Sequence, residues 1–282
     1  MGMSLLLALV GVGCFPLLSC GQGGVCLTVE DPPFPDRPEW AGFDRSVHVL
    51  DCVHVVAERG IPDAQLLHVA AVVAELLDQD ENGVVDHRPL QVALAAGEAV
   101  MPVLLRERSK GEKALMRGYD GEGIAAVLYA DEVDPSAPGF WGSDATVEEV
   151  LHTIHSVGHV SLYPEALALA PHSSRLTEAL DVARGGHFLT VPRTHPEGAW
   201  FHYDDRTCEY DCMAIEYLYW ATVTHMGLLD DPWISASIAD EWTLTTPEML
   251  EQTDGRIHAL LTDARLGLPL KAPDGRYCPS GK

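Results

Sequence analysis

The stretch "ATVEEVLHTIHSVGH" runs from Ala145 to His159 and holds two glutamates and three histidines. On an α-helix each residue advances about 100°. With Glu148 at zero, His152, His155 and His159 fall at about 40°, −20° and 20°, so the four share one stripe. Glu149 lies about 100° to one side. The spacing predicts a helix from Thr146 to Gly158, ended by Gly158 and Pro164. Four ligand-type side chains on one stripe pack poorly against an apolar core. They suit a metal, although the same four would also serve as a solvated face.

Two metal registers fit this helix. His155 and His159 are four apart, like the histidines of H-E-x-x-H, but Ser156 stands where the general base belongs. The other register is E-E-x-x-H, Glu148 to His152. There Glu148 and His152 ligate from one face, and Glu149 takes a proton from metal-bound water. His155 and His159 then support the ligands from the next layer out. A catalytic zinc site needs three protein ligands and an open position. The third expected ligand is Glu216, an acid in the apolar run "MAIEYLYWATVTHMG", where it costs desolvation unless coordinated. His202, on the preceding loop, is the alternative. Tyr203 and Tyr210 are near enough in sequence to donate to an oxyanion, and Tyr210 is the expected donor. The cation expected is Zn2+, with Mn2+ or Fe2+ open because the ligands are rich in oxygen.

A second cation motif lies upstream. "DQDENGVVD" (Asp78–Asp86) fits D-x-D-x-N-G-x-x-D. In an EF-hand-type loop Asp78, Asp80 and Asn82 would give side-chain oxygens, Val84 a carbonyl, and Asp86 the ninth position, with Gly83 at the sharp turn. At the twelfth position Pro89 replaces the expected bidentate acid, which weakens binding. The expected ion is Ca2+, in a structural role. An ordinary acidic helix-to-helix turn is the other reading.

Around these motifs the chain alternates strand and helix. "SVHVLDCVHVV" (Ser46–Val56) predicts a strand, and "IPDAQLLHVAAVVAELLD" (Ile61–Asp78) a helix opened by Pro62 and Asp63. A second helix is expected after Pro89 through "LQVALAAGEAVMPVLL", and a strand over Gly123–Val133. "DPSAPGFWGSD" reads as a loop. Helices are expected over "SRLTEALDVA", closed by Gly185 and Gly186, over "CEYDCMAIEYLYWATVTHMGLL", and around Thr246–Leu266. The segment "HFLTVPRTHPEGAWFHYDDRT" between them has no period and is long enough to suggest a functional loop. His187, His195 and His225 read as background. Asp204–Asp205 reads as a cap or turn. There is no internal repeat. The fold expected is α+β: a mostly helical, zincin-like domain with a small sheet.

Residues 3 to 18 are almost wholly apolar, too short and Gly-rich for a membrane span, so residues 1–20 are expected to be a signal peptide. "LLSC" at Leu17–Cys20 looks like a lipoprotein cleavage box, which would place a lipid on Cys20 and make that lipid the one membrane contact. No Lys or Arg precedes the apolar run, so plain secretion is the alternative. Residues 21–42, with "EDPPFPDRPEW", are expected to be a Pro-rich tether. Residues 43–282 form a single domain: 43–143 with the acidic loop, 144–282 with the metal-site helices. Five cysteines follow Cys20, an odd number, so at least one stays unpaired or pairs elsewhere. The closeness of Cys208 and Cys212 favours a disulfide in an oxidising compartment. The formal charge of −24, without a basic cluster, argues against nucleic acid and suits divalent cations. No G-x-S-x-G or phosphate-cradling loop is present.

"EEVLH" with the downstream "EYLYWA" resembles the gluzincin metallopeptidases, and among them the anthrax-lethal-factor-like group, where a late helix supplies a glutamate. The resemblance covers two short helices. It implies Glu149 as base, with His152 and Glu216 as ligands, and it departs at Glu148, which stands where a histidine is usual. Separately, "LLHVAAVVAELLDQDENGVVD", "EEVLHTI" and "HYDDRTCEYDCMAIEYLYWA" are similar to a family of uncharacterised secreted proteins of animals, algae and bacteria; this covers much of the chain and implies no activity. The function expected is that of a secreted or lipid-anchored metallohydrolase of zincin type, acting on a peptide or another small extracellular substrate. The alternative is a non-catalytic extracellular domain stabilised by calcium and a second metal.

Overall fold

Leu50 and Asp51 both sit in the left-handed region, with φ of 46° and 56°. Tight hairpin turns favour this conformation, and the Cys52 N–H closes the turn on the Val49 carbonyl at 3.0 Å. The single strand expected over Ser46–Val56 is therefore a hairpin, β1 (Phe43–Val49) and β2 (Val53–Glu58), paired antiparallel. The computed structural model describes residues 27–136 and 144–279. The expected leader, Cys20, Cys26 and residues 137–143 of the "DPSAPGFWGSD" loop lie outside these.

A crossover through α1 (Asp63–Leu77) and α2 (Arg88–Ala96) leads to β3 (Val100–Leu104), parallel to β2. The helix expected through Leu105 thus stops at Ala96, where Gly97 is the C-cap, and a strand begins at Val100. Pro102 is accommodated because of its side. The Val100 N–H donates away from β2, to Gly123 O, and Pro102, two residues on, faces the same way. Pairing there resumes only at Val103, so its missing N–H breaks no ladder bond. After α3 (Lys110–Gly118), the strand expected over Gly123–Val133 is only β4 (Leu128–Tyr129), parallel to β3. The sheet order is β1-β2-β3-β4.

The second half is helical. α4 (Thr146–Thr153) runs into a π turn (Ile154–His159) and α5 (Val160–Leu162). α6 (Pro164–Leu167), α7 (Arg175–Ala183) and α8 (Tyr210–His225) follow, then α9 (Pro232–Ser237), α10 (Pro247–Thr253) and α11 (Gly255–Leu261). The class is α+β, with more helix than strand.

Side chains alternate across the sheet with a period of two. Val53, Val55, Ala57, Met101 and Val103 face the main core with α1, α4 and α8. Val56, Val100 and Leu104 face a smaller core with Trp40, Phe43 and Leu115. Trp40 is buried and Phe34 packs on that cluster, so the end of the segment expected to be a tether belongs to the domain. One apolar cluster joins residues of both halves.

α8 is buried on nearly all sides, as its unbroken apolar run requires. α1 carries His68 against the start of α4: its Nε2 is 2.9 Å from Asp144 Oδ2. Asp144 Oδ1 accepts from the Thr146 N–H at 3.1 Å and from its hydroxyl. This fixes where α4 begins. Cys208 and Cys212 form a disulfide at the start of α8, while Cys52 is a buried free thiol, pushed up to about 12 by burial and by Asp51.

Candidate metal centre

α4 and α8 pack face to face, and the residues that meet are those of the E-E-x-x-H register. Glu148, His152 and Glu216 each bring one ligand atom to within 4.8 Å of the others. His152 Nε2 lies 3.6 Å from Glu216 Oε2. That is too long for a good hydrogen bond. It is close to the roughly 3.4 Å between two ligand atoms on one tetrahedral ion with bonds near 2.1 Å. His152 Nε2 is buried and has no hydrogen-bond partner. Buried polar atoms are almost always paired, so this one calls for an explanation.

The electrostatics point the same way. Burial and the neighbouring Glu216 push the Glu148 carboxyl up to about 7. Burial also raises Glu216, with His152 opposing it. Burial alone would depress His152, but Glu149, Glu216 and Glu148 outweigh it and raise the imidazole to about 9. Three carboxylates thus surround one imidazole, and the leading influences on Glu148 and Glu216 include no lysine or arginine. The imidazolium offsets only one of the three carboxylates, and buried charge left unpaired is costly. A divalent cation would supply the missing charge.

Glu149 is partly exposed, and its Oε2 sits 3.6 Å from His152 Nδ1, the nitrogen remote from Glu216. Tyr203 donates to Glu216 Oε1 at 3.4 Å. Tyr219, buried on α8, stacks edge-on against His152 at 5.6 Å, and its hydroxyl acts to lower the Glu148 carboxyl. Tyr219 is not among the site residues expected from the sequence. Its position three after Glu216, on the same helix face, was the available signal.

Other expected residues lie elsewhere. Tyr210 is a correction: its hydroxyl donates to Asp181 Oδ1 at 3.0 Å and to Thr177 O. It is six residues before Glu216, about 120° around the helix, so it points to α7. His202 stays outside the cluster of three; its Nε2 donates to Ala199 O at 2.9 Å and its ring lies beside His195. His155 and His159 are wholly buried and engage each other, with Nδ1 atoms 3.2 Å apart. His159 Nε2 faces the Gly267 carbonyl at 3.3 Å. Gly158 does not end the helix. A Cβ there would lie 2.5 Å from Leu90 Cδ1, so the glycine allows α2 to approach.

The acidic loop joins α1 to α2. Asp78, Asp80 and Asp86 offer oxygens within 4.8 Å of one another. Asp78 accepts from the N–H groups of Asn82 (3.1 Å) and Gly83 (2.7 Å) and from the Tyr277 hydroxyl (2.5 Å). Asn82 Oδ1 accepts from the Val84 N–H, and Gly83 takes a φ of +88°. Three of the five expected ligands therefore converge, while Asn82 caps the turn and Val84 is exposed.

No family model, no curated protein and no solved structure matches the chain.

Proposed function

We propose that the chain is a metal-dependent hydrolase of zincin type, with Glu148, His152 and Glu216 as ligands of a zinc ion. The observation that carries this reading is the buried, unpartnered His152 Nε2 facing Glu216 at 3.6 Å. When bound, the metal supplies Lewis acidity and lowers the pKa of water. Glu149, partly exposed beside the cluster, takes the proton from the attacking water. Tyr203 and Tyr219 hold the two carboxylates in place. The substrate proposed is a peptide or another small extracellular molecule. Secretion or lipid anchoring on Cys20 belongs to the same proposal, as does a structural calcium on the Asp78–Asp86 loop.

A second reading has its own observation. Glu149 lies against Nδ1 of His152, where a carboxylate fixes the tautomer and orientation of a ligating histidine. A centre built that way serves a non-catalytic, metal-stabilised binding domain. Glu149→Gln separates the two. The hydrolase reading expects about one zinc per chain at this centre, retained in the variant, with hydrolysis of a peptide library lost. The binding reading expects zinc affinity to fall by about 10–100-fold in the variant, with no hydrolysis in either protein. A folded wild-type chain that takes up no transition metal would overturn both.

A further inference from the structure

A second histidine–carboxylate cluster lies away from this centre, around α7. His172 is in the turn before the helix, Asp181 is on it, and His187 follows it. The chain returns because Gly185, with φ of +73°, turns it and the Gly186 N–H closes on Asp181 O at 2.8 Å. His187 is among the histidines expected to be background, since the turn that brings it back to Asp181 has no sequence period.

One oxygen of Asp181 serves both imidazoles. His187 Nδ1 is 2.8 Å and His172 Nδ1 3.8 Å from Asp181 Oδ2. The two rings are stacked with centroids 4.0 Å apart. The first contact is a hydrogen bond and the second is too long to be one. In that hydrogen bond His187 Nδ1 is the donor, so an ion shared with Asp181 Oδ2 would take the place of its proton. The other oxygen, Oδ1, is held by the Tyr210 hydroxyl at 3.0 Å and by Arg184 Nη2 at 2.9 Å. Tyr210 and Arg184 are both buried. Carboxylates that ligate metals are typically oriented in this way, by hydrogen bonds from the layer behind. The Arg184 charge opposes a cation, and the Asp181 carboxylate it pairs with offsets that charge.

We propose that His172, Asp181 and His187 form a second transition-metal site, at the protein surface, for zinc or copper(II). Two imidazoles and one carboxylate are a donor set both ions accept. His172 and His187 are both exposed, which leaves an entry path and room for water to complete the coordination. The ion ties His187, at the start of the long loop carrying Tyr203, to α7.

The test is a zinc titration of the metal-stripped full-length chain against a chromogenic chelator. It compares wild type with His172→Ala/His187→Ala and, separately, with Glu216→Ala. The double variant is expected to bind one equivalent fewer than wild type. Its circular dichroism should be unchanged, because the substituted side chains lie near the surface. His187→Gln and His172→Ala alone should each weaken that equivalent, and copper(II) loaded at this site should lose its imidazole nitrogen splittings in the double variant. If the double variant binds zinc with the stoichiometry and affinities of wild type, the site does not exist. Glu216→Ala should remove a different equivalent. If it removes none while the double variant still loses one, the centre between α4 and α8 fails and this site stands.

Discussion

Glu216 stands where an ionised acid is costly. It is an acid on a helix buried on nearly all sides, and its one hydroxyl partner is Tyr203 at 3.4 Å. Hydrogen bonds to a ligating group are worth about 10–100-fold in metal affinity. Tyr203→Phe is therefore expected to weaken zinc binding about tenfold in a competition titration, near the lower end because the bond is long. Tyr210→Phe should leave the Glu148–His152–Glu216 centre unchanged, since its hydroxyl goes to Asp181. Equal effects of the two substitutions would remove Tyr203 from the centre. At this scale the sequence was legible where a helix carried the information. Glu148, His152 and Glu216 stand out by spacing and by an acid in an apolar run. Tyr203 and Tyr210 were not separable, because closeness to Glu216 along a loop says nothing about the path the loop takes.

Among elements, the π turn after α4 is where regular geometry failed as a guide. An advance of 100° per residue keeps His155 and His159 on the Glu148 stripe. The turn instead bonds the Val160 N–H to His155 O, five residues back, which changes the rotation per residue, and the two histidines end up in the interior. Gly158 makes the turn fit against α2. In Gly158→Ala the new methyl would meet Leu90 and Leu94, both buried. Overpacking costs about 1–3 kcal/mol, while alanine returns up to about 1 kcal/mol of helix propensity. The net expectation is a loss of about 1 kcal/mol in denaturant unfolding, and a more stable variant would show that the contact relaxes freely.

His159 gives this element a pH signature. Burial holds it at about 4, with His87 adding to the depression and the Gly267 carbonyl opposing it. His155 faces it from the same turn. The unfolded side chain titrates near 6.5. Between these values the unfolded chain binds more protons, so the contribution of His159 is fully present above about pH 6.5 and is lost as pH falls toward 4. It amounts to roughly 3 kcal/mol at most. Comparing the stability of wild type and His159→Gln from pH 7.5 to 4 isolates it from the carboxylates that titrate in the same range. The difference between the two should shrink on acidification; a constant difference would mean that His159 is not held neutral.

At the scale of the whole molecule, the class was legible and the connectivity was not. Apolar runs and turn residues indicate helices with a small sheet, but Val-rich segments on either side of Leu50–Asp51 read as one strand, because nothing local marks a left-handed turn at a leucine. The closing of the C-terminal segment onto the acidic loop was equally hidden, since it joins residues almost two hundred positions apart. Glu75 accepts the N–H groups of Asp274 and Gly275, Gln79 those of Leu270 and Lys271, and Asp78 the Tyr277 hydroxyl. The loop is therefore a junction of α1, α2 and the last described residues, and an ion bound there would stabilise the fold rather than a local turn. A ligand that binds only the native state at a hundred times its dissociation constant adds about 2.7 kcal/mol. For a chain of this size that is roughly 5–10 °C in melting temperature. Calcium at such an excess is expected to raise the melting temperature of wild type by this amount and that of Asp80→Ala not at all, with zinc content equal in the two proteins. A calcium shift that survives Asp80→Ala would place the ion elsewhere, and no shift in wild type would leave the loop as a turn held by its own carboxylates and by Tyr277.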